Sequence, residues 1–110
     1  MKNDGTIKIH ATCVSRNGVG ILIRGLSGMG KSDLALRLIS DGAQLVADDQ
    51  VVLQPLNDNI IAKAPAILRG LLEVRGVGII RIRAQTSAPV QLIVDLTGLA
   101  KEERLPNPTI

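Results

Sequence analysis

Residues 25–32 read GLSGMGKS, and no other stretch restricts the possible folds as much. The spacing fits G-x-x-x-x-G-K-[ST], a loop that curls so that its backbone N–H groups converge on phosphate oxygens. Such a loop works in one setting only: a buried strand must feed it and a helix must leave it. The sequence supplies both. GILIRG (20–25) is a continuous apolar run of the kind buried on both faces. In KSDLALRLIS (31–40), Leu34, Leu38 and Ile39 share one helical face with Ala35 beside them, and Gly42 stands where a helix C-terminal cap belongs. In that setting Gly25, Gly28 and Gly30 free the backbone, with Leu26, Ser27 and Met29 completing the cradle. Lys31 is placed to bridge terminal phosphates, and Ser32 to offer its hydroxyl to Mg2+. The competing reading is a glycine-rich turn that matches by chance.

The elements around the loop are short and close together. TIKIHATCV (6–14) is rich in Ile, Val and Thr and reads as one strand, joined to the next by an Asn17-Gly18 turn. AQLVADD (43–49) reads as a strand ending in two carboxylates. VVLQPLNDNIIAKA (51–64) reads as a hairpin turning at Asn57–Asn59. PAILRGLLE (65–73) opens with Pro65 and reads as a short helix. GVGIIRIRA (76–84) and PVQLIVDLT (89–97) read as two further strands, and the remainder is polar and proline-rich. The expected fold class is α/β: a βαβ core around the glycine loop, flanking hairpins and a mixed sheet.

Three further groups carry chemistry. Asp48 and Asp49 end the strand after the helix, and the carboxyl ends of parallel strands share one crevice, which brings them beside the glycine loop. Side chains alternate along a strand, so one carboxylate can face Mg2+ while the other faces an incoming hydroxyl and accepts its proton. An Asp-rich turn is the plainer alternative. His10 is the one histidine; it is either a structural residue or a proton relay near those carboxylates. In LLEVRGVGII, Glu73 and Arg75 flank Val74 and point to one side of an extended segment, which suits a metal–phosphate site or a surface ion pair.

Composition narrows the class. Among 110 residues there is no Phe, Tyr or Trp, so the core is aliphatic and no ring is available to stack on a base. The formal charge of +3 comes from scattered Lys and Arg, which with the lack of aromatics argues against a single-stranded nucleic-acid platform. Cys13 is the single cysteine, so no internal disulfide is possible, as in a reducing cytoplasm. No apolar stretch reaches membrane-spanning length, and the first residues lack a signal-peptide core. A domain of this size buries a modest fraction of its surface, so homo-oligomerisation is expected.

Four segments, IHAT, GLSGMGKS, LVADD and LEVRGVGII, together resemble the catalytic domain of the HPr kinase/phosphorylase family, over about residues 7–105. The resemblance implies an ATP- and Mg2+-dependent kinase that phosphorylates a serine of the phosphocarrier protein HPr. By position, it implies that His10 and Lys31 are active-site residues. It makes Asp49 the acceptor of the serine proton, with Asp48 its neighbour. It makes Ser32 and Glu73 Mg2+ ligands and Arg104 a catalytic arginine; Arg104 or Arg75 would neutralise charge that develops in the transition state. It also implies a fold related to phosphoenolpyruvate carboxykinase, a hexamer, and a cytoplasmic location. Typical members carry an N-terminal domain before this region and C-terminal helices after it. The expectation here is one catalytic domain over residues 1–110 without those helices, acting as kinase rather than phosphorylase. Two other readings stay open: an ATP-binding sensor or scaffold without turnover, and a small-molecule kinase of another phosphate-loop family.

Overall fold

In a computed structural model, residues 5–26 and 28–96 are described. The chain forms β1 (Ile7–His10), β2 (Thr12–Arg16), β3 (Val19–Gly25), α1 (Lys31–Ser40), β4 (Gln44–Ala47), β5 (Gln50–Leu56), β6 (Asn59–Lys63), a 3-10 turn (Ala66–Leu68), β7 (Leu71–Val74), β8 (Gly78–Arg81) and β9 (Ser87–Leu96). Seven strands make one sheet in the order β1-β5-β6-β9-β3-β2-β4, and β7-β8 stand apart as a two-stranded hairpin. Among the described strands, β3 and β9 form the parallel ladder and the other ladders are antiparallel.

The order of strands forces a curl. β1 lies at one edge and β2 is next to the other, yet only Ala11 separates them in sequence. Likewise β4 and β5, far apart in the sheet, are separated only by Asp48 and Asp49. The sheet must therefore fold back on itself at these two short joints. They face each other, because His10 is opposite Gln50 and Cys13 opposite Ala47, and the Ala11 N–H donates to the Asp49 carbonyl at 3.3 Å. The segment expected as one strand over 6–14 is thus two, bent at Ala11. A strand that turns a corner needs an irregularity, and here it is supplied across the ladder by Asp49, whose φ is 72°.

The inside of the curl is tight and is filled accordingly. Ala11, Cys13, Ala47, Ala62, Ala64 and Ala88 pack there with Leu22, Val46 and Val51, so small side chains predominate. On the other face of β2 and β3, α1 lays Leu34, Ala35, Leu38 and Ile39 against Val14, Ile21, Ile23 and Leu96. The helix ends as its sequence suggests. Gly42 has φ 110°, its N–H bonds the Ile39 carbonyl, and the Ala43 N–H bonds the Leu38 carbonyl, a Schellman closure. Arg16 Nη1 grips Asp41 Oδ2 at 2.7 Å, fastening the β2–β3 hairpin to the helix end. That hairpin turns at Asn17 and Gly18, both with positive φ, as the Asn-Gly pair predicts.

Beyond the split of 6–14, three expectations are corrected or refined. The βαβ unit is present, but β2 lies between β3 and β4 and runs antiparallel to both, so the two parallel strands are not neighbours. The helix expected over 65–73 is a single 3-10 turn followed by β7. Gly70 with φ 80° interrupts it, and the Ile82 N–H closes on the Gly70 carbonyl at 2.7 Å. A side chain at Gly70 would lie 2.8 Å from the Ile82 carbonyl oxygen, so the position excludes one. Buried Leu72 beside exposed Glu73 then shows strand alternation rather than helical spacing. Finally, the strand expected over 76–84 stops at Arg81, leaving only a bridge between Leu45 and Ala84 beyond it.

Cys13 is fully buried in the curl, and loss of hydration pushes its thiol up to about 12 from an ordinary 9.0. The folded chain thus keeps a proton that the unfolded chain releases. Stability from this source is complete below about pH 9 and is lost as pH rises toward 12. Urea midpoints measured between pH 8 and 11 are expected to fall more steeply for the native chain than for Cys13→Ala. Parallel pH profiles for the two proteins would refute this burial effect.

Candidate active site

The corner of the sheet, the start of α1 and the β7–β8 hairpin enclose a cavity of about 180 Å3, lined by Thr12, Gly28, Gly30, Lys31, Ser32, Asp33, Asp48, Asp49, Glu73 and Arg75. Asp48 is its structural centre. The carboxylate is almost fully buried, and Oδ1 accepts the Thr12 hydroxyl at 2.8 Å and the Ser32 hydroxyl at 2.8 Å. Oδ2 accepts the Glu73 backbone N–H at 3.0 Å. A buried carboxylate needs such donors, and here they come from three separate elements: β2, the first turn of α1, and β7.

Asp49 is placed differently. The Gln50 N–H bonds the Asp48 carbonyl at 2.8 Å, closing a three-residue turn with Asp49 at its middle and φ 72°. Such positive-φ turns are rare and strained, and Asp is one of the few residues that tolerates the conformation. The side chain projects outward, with 73% of its surface exposed. The expected alternation of the two carboxylates along a strand is therefore replaced by a turn, since β4 ends at Ala47. One carboxylate is thus held inward by three donors, and the other lies exposed at the rim. His10 Nδ1 lies 3.9 Å from Asp49 Oδ1, with both side chains open to solvent. His10 does not line the cavity and approaches it only through Asp49.

The glycine loop leads directly into α1. Gly28 and Gly30 have φ of 87° and 95°, conformations that L side chains rarely adopt, and Gly30 caps the helix. Gly25 has another reason to be glycine: a Cβ there would come within 2.8 Å of the Leu96 carbonyl oxygen on β9. Leu26 and Met29 present their side chains outward and do not line the cavity, although the Met29 N–H bonds the Leu26 carbonyl at 3.0 Å and so shapes the loop. Lys31 Nζ donates to the Gly25 carbonyl at 2.8 Å and the Leu26 carbonyl at 3.2 Å. Of its three donors, one remains for a ligand. The first intrahelical bond is from the Leu34 N–H to the Gly30 carbonyl, so the N–H groups of residues 31–33 lack partners within the helix. Ser27 and Arg104 lie outside the described residues.

Glu73 and Arg75 do reach one side of the hairpin, as their spacing suggests: both line the cavity. Arg75 Nη2 is 3.5 Å from Asp33 Oδ2. Two residues escaped the sequence reading. Thr12 is a fully buried polar residue, but in sequence it is an ordinary member of a β-rich run and carries no signal of its own. Asp33 is an acidic residue in the first turn of α1, where a helix dipole alone would account for it.

A family profile for the HPr serine kinase C-terminal domain matches residues 4–106. This chain belongs to the HPr serine kinase C-terminal domain family. It is 49% identical over 77 residues to the HPr kinase/phosphorylase of Clostridium acetobutylicum, a match covering 70% of this chain and 25% of that protein. The solved structure of the Hpr(Ser) kinase/phosphatase from Coxiella burnetii superposes with a TM-score of 0.78 at 32% identity, covering 91% of this chain and 63% of that one. The chain thus spans about a quarter of the curated relative it matches. The mixed α/β fold with its curled sheet is the fold of that HPr kinase structure. Among the described residues, no helix is long and apolar enough to cross a membrane.

The unequal settings of the two carboxylates in this HPr kinase-family domain have a measurable consequence. Asp48→Ala leaves the buried Thr12 hydroxyl and the Glu73 N–H without their acceptor and is expected to destabilise the chain by about 1–3 kcal/mol. Asp49→Asn keeps the turn and is expected to stay within about 0.5 kcal/mol of wild type. Denaturant melts of the two variants give the comparison.

Proposed function

We propose that this chain is the catalytic domain of an ATP-dependent serine kinase whose substrate is an HPr-class phosphocarrier protein. The family membership supports the reaction class. The observation that carries the reading is the division of labour between Asp48, locked by three donors, and Asp49, free at the rim 3.9 Å from His10.

The donor set fits Mg-ATP. The cavity is lined by four carboxylates (Asp33, Asp48, Asp49, Glu73) against two cations (Lys31, Arg75), so a bare triphosphate would meet net repulsion that a divalent cation relieves. The oxygens of Ser32, Asp48 and Glu73 are the hard donors that Mg2+ prefers. Among the described residues no three His, Cys, Asp or Glu side chains converge as a metal site, so phosphate oxygens would complete the shell, as is usual for this ion. Ser32 commits its one proton to Asp48, which leaves only lone pairs to offer a cation. Ser32 and Glu73 are the proposed ligands. When bound, Mg2+ supplies charge neutralisation at the transferring phosphoryl group.

The glycine loop, with Gly28 and Gly30 at positive φ and the open N–H groups of residues 31–33, holds the phosphates at the helix N-terminus. The free donor of Lys31 reaches a terminal phosphate oxygen. Asp49 orients the substrate serine and accepts its hydroxyl proton as the serine oxygen bonds to the γ-phosphorus and the bond to the ADP oxygen breaks. His10 sits where it can relay that proton onward. Arg75 neutralises developing charge, with Arg104 assigned the same task by family position. One catalytic domain over residues 1–110, a fold akin to phosphoenolpyruvate carboxykinase, assembly as a homo-oligomer (a hexamer by resemblance) and a cytoplasmic setting belong to the same proposal.

Incubating the chain with ATP, Mg2+ and a purified HPr-class protein is expected to yield phosphoserine on the carrier, read by mass spectrometry. Asp49→Asn should slow transfer by about 10²–10⁴-fold while nucleotide still binds. Transfer by Asp49→Asn at the native rate would overturn the assignment. Binding of ATP with no transfer would favour a sensor module, and phosphorylation of a metabolite in place of the carrier a small-molecule kinase.

A further inference from the structure

The kinase reading uses His10, the glycine loop, the two aspartates and the β7–β8 hairpin. It does not use Thr12, the most buried polar side chain in contact with the site. Cross-strand pairing explains its place. His10 faces Gln50 and Cys13 faces Ala47, so at the corner Ala11 falls opposite Asp49 and Thr12 opposite Asp48. Each of these three consecutive residues touches the aspartate pair by a different group. The His10 imidazole lies 3.9 Å from the Asp49 carboxylate, the Ala11 N–H bonds the Asp49 carbonyl at 3.3 Å, and the Thr12 hydroxyl bonds Asp48 Oδ1 at 2.8 Å.

We infer that Thr12 is a positioning residue that sets the orientation of the Asp48 carboxylate and, through it, the relative placement of Ser32 and Glu73. Asp48 follows the end of β4 at the point where the ladder bends, so backbone pairing alone does not fix its side chain. The three donors do. Ser32 belongs to the start of α1 and Glu73 to the separate hairpin, and neither strand of that hairpin pairs with the main sheet. Thr12 alone among the three donors comes from the main sheet, and it is fully buried within it. It therefore anchors Asp48 to the rigid part of the fold, while the other two donors are held by Asp48 in turn. β-Branching restricts its χ1, which makes it a firmer anchor than serine would be. With Thr12 in place, Oδ1 faces the loop hydroxyl and Oδ2 faces β7. Without it, the carboxylate can rotate, and the Ser32 and Glu73 donors lose their common reference.

The effect on a bound cation rests on the kinase reading, whereas the hold on Asp48 does not, so the test has one arm for each. Thr12→Val keeps the shape and removes the hydroxyl; Thr12→Ser restores the hydroxyl without the methyl. In the chain without ligand, amide exchange at Glu73 read by NMR should quicken about tenfold in Thr12→Val and return near the native rate in Thr12→Ser, while the β2–β3 ladder amides stay protected. In the second arm, the Mg2+ concentration giving half of the thermal stabilisation by ADP should rise about tenfold in Thr12→Val and recover in Thr12→Ser. If Thr12→Val does not fold, Thr12→Ala takes its place in both arms. A Glu73 amide as protected in the hydroxyl-free variant as in the native chain overturns the inference. A native chain that gains no stability from Mg2+ with ADP overturns the kinase reading and the cation half of the inference, leaving the amide arm to decide whether Thr12 holds Asp48.

Discussion

A buried carboxylate at the corner of a curled sheet is the constraint on which the site depends. Asp48 is out of water, and burying a charge is tolerated only when the group is hydrogen-bonded on most sides. Thr12, Ser32 and the Glu73 amide satisfy it. Because those donors belong to three elements, satisfying one side chain ties together the sheet, the glycine loop's helix and the separate hairpin. The requirement is local, but its consequence is the shape of the whole cavity.

The corner also explains how two adjacent residues of the same type come to differ. The sheet turns at the joint between β4 and β5, and the turn forces Asp49 into positive φ. The residue before it faces into the protein and the residue at its centre faces solvent. Strain of this kind persists where the surrounding structure over-determines it, and it tends to collect at functional sites. Here the Ala11 N–H on one side and the Gln50 turn bond on the other hold the backbone in place. The rim carboxylate is thereby presented to solvent from a held backbone position without being buried.

The core follows from the same geometry. A sheet that folds back sharply leaves little room inside, and Ala11, Ala47, Ala62, Ala64 and Ala88 are what fit there. Larger side chains join them there only in part, as Leu22, Val46 and Val51, and the outer face, covered by α1, carries Val14, Ile21, Ile23 and Leu96. The absence of aromatic residues, odd as bulk composition, is consistent with an interior too narrow for rings.

Much of this was legible in the chain alone. The glycine spacing, the apolar run before it and the helical face after it define strand, loop and helix, because each follows from short-range periodicity and backbone freedom. The Asn17-Gly18 and Asn57–Asn59 turns are visible for the same reason. The rest required tertiary structure. That β2 slips between β3 and β4 and that 6–14 bends at Ala11 both depend on long-range pairing that no local pattern records. Thr12 is the plainest case. In sequence it is one more residue of a β-rich run. Only when the sheet curls and sets it opposite Asp48 does its hydroxyl acquire a partner, since a hydrogen bond between residues 36 positions apart exists only once the chain has closed.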